Sequence, residues 1–77
     1  MARWVIVRDQ LGAHVFYDNL LTGQRHECGT VEEPISDQEL VDWIFTEGSP
    51  AYGDIIRLSD GTAFHYHPQR LEQSQPN

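Results

Sequence analysis

Four side chains have the types and spacing of metal ligands. His65 and His67 stand two apart, and so do His26 and Cys28. Residues two apart on a β-strand point to the same face. Two such strands lying side by side in register would therefore bring nitrogen and sulfur donors together in a set that suits Zn²⁺. The intervals match no zinc-finger or zinc-ribbon pattern, and His-x-His on a hairpin reads more simply as two solvent-facing imidazoles. The expectation is no metal and no cofactor. Cys28 with a histidine is also a nucleophile and base in outline. Here there is no nucleophile turn, no glycine-rich anion loop and no third residue to orient the base, so Cys28 reads as a half-buried structural thiol. Paired carboxylates serve as general acid and base in other sites. Of the pairs here, Asp37 and Glu39 belong to a helix start, and Glu32-Glu33 precedes Pro34 in a loop. No phosphate-binding loop, dinucleotide fingerprint or metalloprotease motif occurs. The chain is read as non-catalytic.

Charge is the stronger signal. Twelve Asp and Glu face five Arg, with no Lys, for a net charge of −7 over 77 residues. The acids are unevenly placed. Between Arg25 and Arg57 there is no basic residue, while that window holds Glu27, Glu32, Glu33, Asp37, Glu39, Asp42, Glu47 and Asp54. Such a body repels DNA, RNA and anionic membranes and attracts basic surfaces. Direct nucleic-acid binding needs a basic stripe, whereas Arg3, Arg8, Arg25, Arg57 and Arg70 are scattered. Charge of this size also suits simple solubility.

The elements that must position these groups are legible in outline. Residues 2–8 form a first strand around the β-prone Trp4, Val5, Ile6 and Val7. Residues 13–18 form a second after a turn at 9–12. Residues 24–30 form a polar third strand suited to an edge, with Thr22-Gly23 turning the chain before it. Ser36 and Glu39 have capping-box spacing, and Ile35 and Leu40 the spacing of a hydrophobic staple. Leu40, Val41, Ile44 and Phe45 share one face, with Trp43 at its margin. Gly48 and Pro50 are stop signals, so the spacing predicts a helix over 37–47. Residues 54–59 and 62–67 flank Asp60-Gly61 as a hairpin. The order β-β-β-α-β-β predicts an α+β fold: an antiparallel sheet of about five strands with one helix packed on one face. That helix should cover Trp4, Ile6, Phe16 and Phe64.

Residues 1–71 are expected to form one compact domain and 72–77 a polar, disordered tail. A chain this short buries only about 60% of its unfolded surface, leaving little room for a deep substrate pocket. With one cysteine no internal disulfide forms, and the longest apolar opening run, residues 4–7, is too short for a signal-peptide core or membrane span. A cytoplasmic protein that binds no membrane is the expectation.

The C-terminal third carries Gly48-Ser49-Pro50-Ala51-Tyr52, then Ile55-Ile56, Ser59, Phe64, Pro68 and Leu71. This run resembles one of the small phage-encoded anti-CRISPR proteins that block type I CRISPR effector complexes; chain length and element order are similar too. The resemblance implies a non-catalytic inhibitor acting in a bacterial host cytoplasm. Several such proteins occupy the DNA-binding surface of the effector by imitating nucleic-acid charge. No site residue is carried over from that family. From the charge pattern alone, Glu32, Glu33, Asp37, Glu39, Asp42, Glu47 and Asp54 are the candidate partner-binding residues. The expected partner is a protein with a basic nucleic-acid-binding surface, a CRISPR effector first. The alternative is a small structural or regulatory interaction domain, possible as a homodimer, whose acidity serves solubility only.

Overall fold

The β-prone run at residues 4–7 becomes the middle of the central strand. In the computed structural model, which describes residues 1–67, β1 (Ala2–Asp9) turns through Gln10-Leu11 into β2 (Gly12–Asn19). The two pair antiparallel along their whole length, from Ala2 opposite Asn19 to Asp9 opposite Gly12. β3 (Arg25–Val31) pairs antiparallel with β2. The helix α1 (Asp37–Trp43) runs on into a π-helical turn, Ile44–Gly48. β4 (Ile55–Arg57) then pairs parallel with β1, and β5 (Ala63–His65) antiparallel with β4. The sheet order is β3-β2-β1-β4-β5. The expected α+β order with one helix on one face is present. The sheet is mostly antiparallel, with one parallel pair, because the helical crossover returns the chain beside β1 running the same way. The expected tail at 72–77, and Pro68 and Leu71, lie outside the described residues.

The helix begins as its sequence dictates. The Ser36 hydroxyl accepts from the Glu39 amide at 3.1 Å, and the Glu39 carboxylate accepts from the Ser36 amide at 3.0 Å. These reciprocal bonds satisfy two of the orphan donors of the first turn. The end differs from expectation. The left-handed residue is Ser49, at φ 53°, whose amide donates to the Ile44 carbonyl. Gly48 is needed for another reason: a Cβ there would lie 2.8 Å from the Trp4 ring. The last turn is packed directly onto the indole.

Trp4, Ile6, Ala13, Val15, Leu40, Val41, Ile44 and Ile56 form the core between helix and sheet. Tyr17 stands edge-on to Trp4 at 4.9 Å. Phe16 does not join them. Trp4 pairs with Tyr17, and Val5 with Phe16, so strand alternation sends Phe16 to the sheet's outer face. There the Arg25 guanidinium lies 4.8 Å from its ring centre. Phe64 shares the ladder row of Trp4 and Ile56, but it sits on the edge strand and stays 40% exposed.

The second hairpin is longer than its strand cores. Leu58 donates to Thr62, Tyr66 to Asp54 and Gly53 to Tyr66. A three-residue loop, Ser59-Asp60-Gly61, closes it, with Gly61 at φ 94° and Asp60 accepting from the Thr62 amide and hydroxyl. Gly61 takes the positive φ that such loops require.

Candidate protein-binding surface

Glu32 and Glu33 lie in the loop before the helix, beside the β1–β2 turn, while Asp37, Glu39 and Asp42 lie on α1 and Glu47 on the π-helical turn after it. They are not equivalent. Arg8 reaches from β1 and forks between Glu33, at 2.7 Å to each oxygen, and Asp37, at 2.6 Å. Ser59 donates to the same Asp37 carboxylate. The Arg8 guanidinium holds both carboxyls below their ordinary range, and they in turn raise its own pKa. Glu33 and Asp37 are thus fasteners between β1, the loop and the helix start. Glu39 is exposed while serving the capping box. Asp42 is exposed and accepts from Gln38 at 3.1 Å. Glu32 and Glu47 are also exposed. Among the described residues, Glu32, Glu39, Asp42 and Glu47 form no ion pair.

Asp54 does not belong to this surface. It is 4% exposed, and its carboxylate accepts from the Ala2 amide at 3.1 Å, the Trp4 indole at 3.2 Å and the Ala51 amide at 2.9 Å. It fastens the start of β1 to the turn that leads into β4. A buried carboxylate encircled by donors is locked inward and unable to meet a partner.

The outer face of the sheet carries three of the arginines, Arg3, Arg25 and Arg57. Register places Arg3 opposite Asp18, Asp18 opposite Arg25, and Arg57 opposite Val5. Arg25 holds Asp18 at 2.6 and 2.9 Å, and Arg3 reaches it at 3.3 Å. Arg25 first, and Arg3 as well, keep the Asp18 carboxyl below its ordinary range. His14 lies on this face too. Sequence reasoning passed over His14, Arg8 and the structural role of Asp54. Apart from the Ala51 amide, three positions from Asp54, their partners lie five to 52 positions away along the chain, so no local spacing announces them.

The four metal-type side chains do not converge. β3 carries His26 and Cys28 at one edge, and β5 carries His65 at the other. Four inter-strand steps separate the edges, on the order of 19 Å. His65 and His67 do come together, their rings 6.0 Å apart. Cys28 is exposed on the edge strand and not half-buried. A bulge opposite Val15 and Phe16 leaves it unpaired in the ladder, and partial desolvation still pushes its thiol up. Among the described residues, no group of three or more His, Cys, Asp or Glu is placed to hold a metal ion. No helix among them is long and apolar enough to cross a membrane. No family model, curated protein or solved structure matches the chain.

Proposed function

We propose that this chain is a non-catalytic acidic inhibitor that occupies a nucleic-acid-binding surface on another protein, with a type I CRISPR effector complex as the preferred target in a bacterial cytoplasm. The supporting observation is a set of exposed carboxylates that no cation pairs among the described residues. Glu32, Glu39, Asp42 and Glu47 are exposed on the helix and the segments flanking it, and no basic residue lies between Arg25 and Arg57. Arg3 and Arg25 are paired with Asp18 on the far face. Duplex DNA carries one charge per about 1.7 Å of axis, and carboxylates spaced along a short helix present a local approximation of that line. The partner surface is therefore basic. The chain competes with target DNA and carries out no reaction of its own.

The test is binding to a purified type I effector, read with and without target DNA. Competition with DNA, and weakening as salt rises, support the proposal. Binding that ignores both DNA and salt overturns the mimicry.

A second reading has its own observation. The short edge strand β5 is exposed, and around it Phe45, Phe64 and Tyr52 are 40%, 40% and 62% exposed. Phe45 stacks at a tilt on Tyr66. An edge of this kind suits pairing with a second copy. Sedimentation over a concentration series separates the two readings: a dimer abolished by Phe64→Lys favours the interaction domain.

A further inference from the structure

Among the described residues, His14 is the one ionisable ring on the outer face that is nearly enclosed, with its side chain 11% exposed. It sits in β2, and both its nitrogens meet carboxylates from other elements. Nε2 lies 2.8 Å from Asp9 Oδ1, at the end of β1, and Nδ1 lies 2.9 Å from Glu27 Oε2, on β3. The Thr30 hydroxyl is 3.1 Å from Nδ1 and donates to the same Glu27 oxygen at 2.6 Å. Phe16 stacks beside the ring at 6.1 Å, with Arg25 beyond it. The cross-strand neighbour on β1 is the uncharged Val7. The helix packs on the other face of the sheet, and β4 and β5 lie beyond β1, so no charged side chain of theirs faces His14 among the described residues.

Carboxylates offer only lone pairs. A ring between two of them is satisfied on both sides only when each nitrogen carries a hydrogen, which is the imidazolium. The neutral ring has one hydrogen and must turn a lone pair toward one carboxylate or the other. We infer that Asp9, His14 and Glu27 form a pH-responsive clasp that fastens the edge strand β3 to the β1–β2 hairpin and releases it when His14 loses its proton. The geometry favours the edge strand as the part that moves. β3 has one neighbour, β2, and a bulge interrupts that ladder, whereas β2 is held on both sides.

The sign follows from the direction of each shift. Asp9 and then Glu27 raise the His14 pKa above its ordinary value. The clasp is therefore fully closed below about pH 6.5, the ordinary histidine range, and opens as pH rises through the folded value. The Thr30 and His14 contacts lower Glu27, and His14 lowers Asp9, so on the acid side the clasp fails only when those carboxylates take up protons. It holds in the window between.

The experiment is a histidine NMR titration of the whole chain, with amide hydrogen exchange of β3 at pH 6 and pH 9 corrected for intrinsic exchange. The expected result is a His14 midpoint above about 6.5 and a loss of β3 protection at pH 9 that β1 does not share. In His14→Gln, β3 protection should be equal at the two pH values. A His14 midpoint at or below the ordinary value, or β3 protection in the wild type that is equal at both pH values, overturns the clasp. The wild-type titration decides the matter even if His14→Gln does not fold. The inference is independent of the proposed partner.

Discussion

Asp54 shows how one side chain changes meaning with burial. Counted along the chain it is one more acid, but inside the molecule it is the acceptor for two amides and an indole. Asp54→Ala leaves three donors without a partner. Each hydrogen bond to a charged group is worth roughly 1.5–3 kcal/mol, less than additively in a cluster. A loss of about 3 kcal/mol is expected in a urea denaturation, with no change in the salt dependence of partner binding. Gly48 is the other residue whose role is set by what it touches. With the Trp4 ring 2.8 Å from where a Cβ would stand, Gly48→Ala must displace an indole that is 4% exposed. Overpacking of this kind costs about 1–3 kcal/mol. A thermal melt unchanged from wild type would mean that the last helical turn moves away freely.

At the scale of elements, the helix start carries two devices that can be separated. Ser36→Ala removes the cap and should cost about 1 kcal/mol, visible as a lower melting temperature while partner affinity holds. The Arg8 fork to Glu33 and Asp37 ties β1 to the same turn. Both carboxyls have folded pKa values below their unfolded ones. Their contribution is present above the ordinary carboxylate range of about 3.9–4.3 and is lost as pH falls through the folded values. Arg8→Gln should therefore narrow the stability difference between pH 6 and pH 2.5, and an unchanged difference would show that the fork is not what titrates. The edges of the sheet carry their own expectation. Because β3 and β5 hold the His and Cys pairs apart, chelation should leave the melt unchanged, and elemental analysis should find no stoichiometric zinc.

At the scale of the whole molecule, the proposed inhibition has the exposed carboxylates acting together through their field. Replacing Glu32, Glu39 and Glu47 by Gln and Asp42 by Asn removes the charge of the four and nearly preserves their shape. Gln at position 39 keeps the capping box possible, so the fold should survive. Long-range charge acts mainly on encounter, so association with the proposed effector target should slow more than dissociation quickens. Exposed charges are screened beyond about 8–10 Å at physiological ionic strength, so the difference from wild type should shrink as salt rises. Equal association rates at low salt would mean that these acids only keep the domain soluble, and Phe45, Tyr52 and Phe64 would then be the next residues to substitute.

Local rules made much of the fold legible. Strand runs, turn residues and the Ser36–Glu39 cap are properties of a few neighbouring positions, and a short helix among β-hairpins has few ways to bury its apolar face. The net charge and the acid-rich window were likewise set by the sequence alone. Only the tertiary structure decided what each acid does. It sent Asp54 inward beneath Trp4, gave Glu33 and Asp37 to Arg8, and left Glu32, Glu39, Asp42 and Glu47 facing out. It also settled the parallel pairing of β4 with β1, the outward turn of Phe16 and the clasp at His14. The reason is physical: propensity and capping act over one turn, while ion pairing, strand order and burial depend on contacts between residues as far apart in sequence as Ala2 and Asp54.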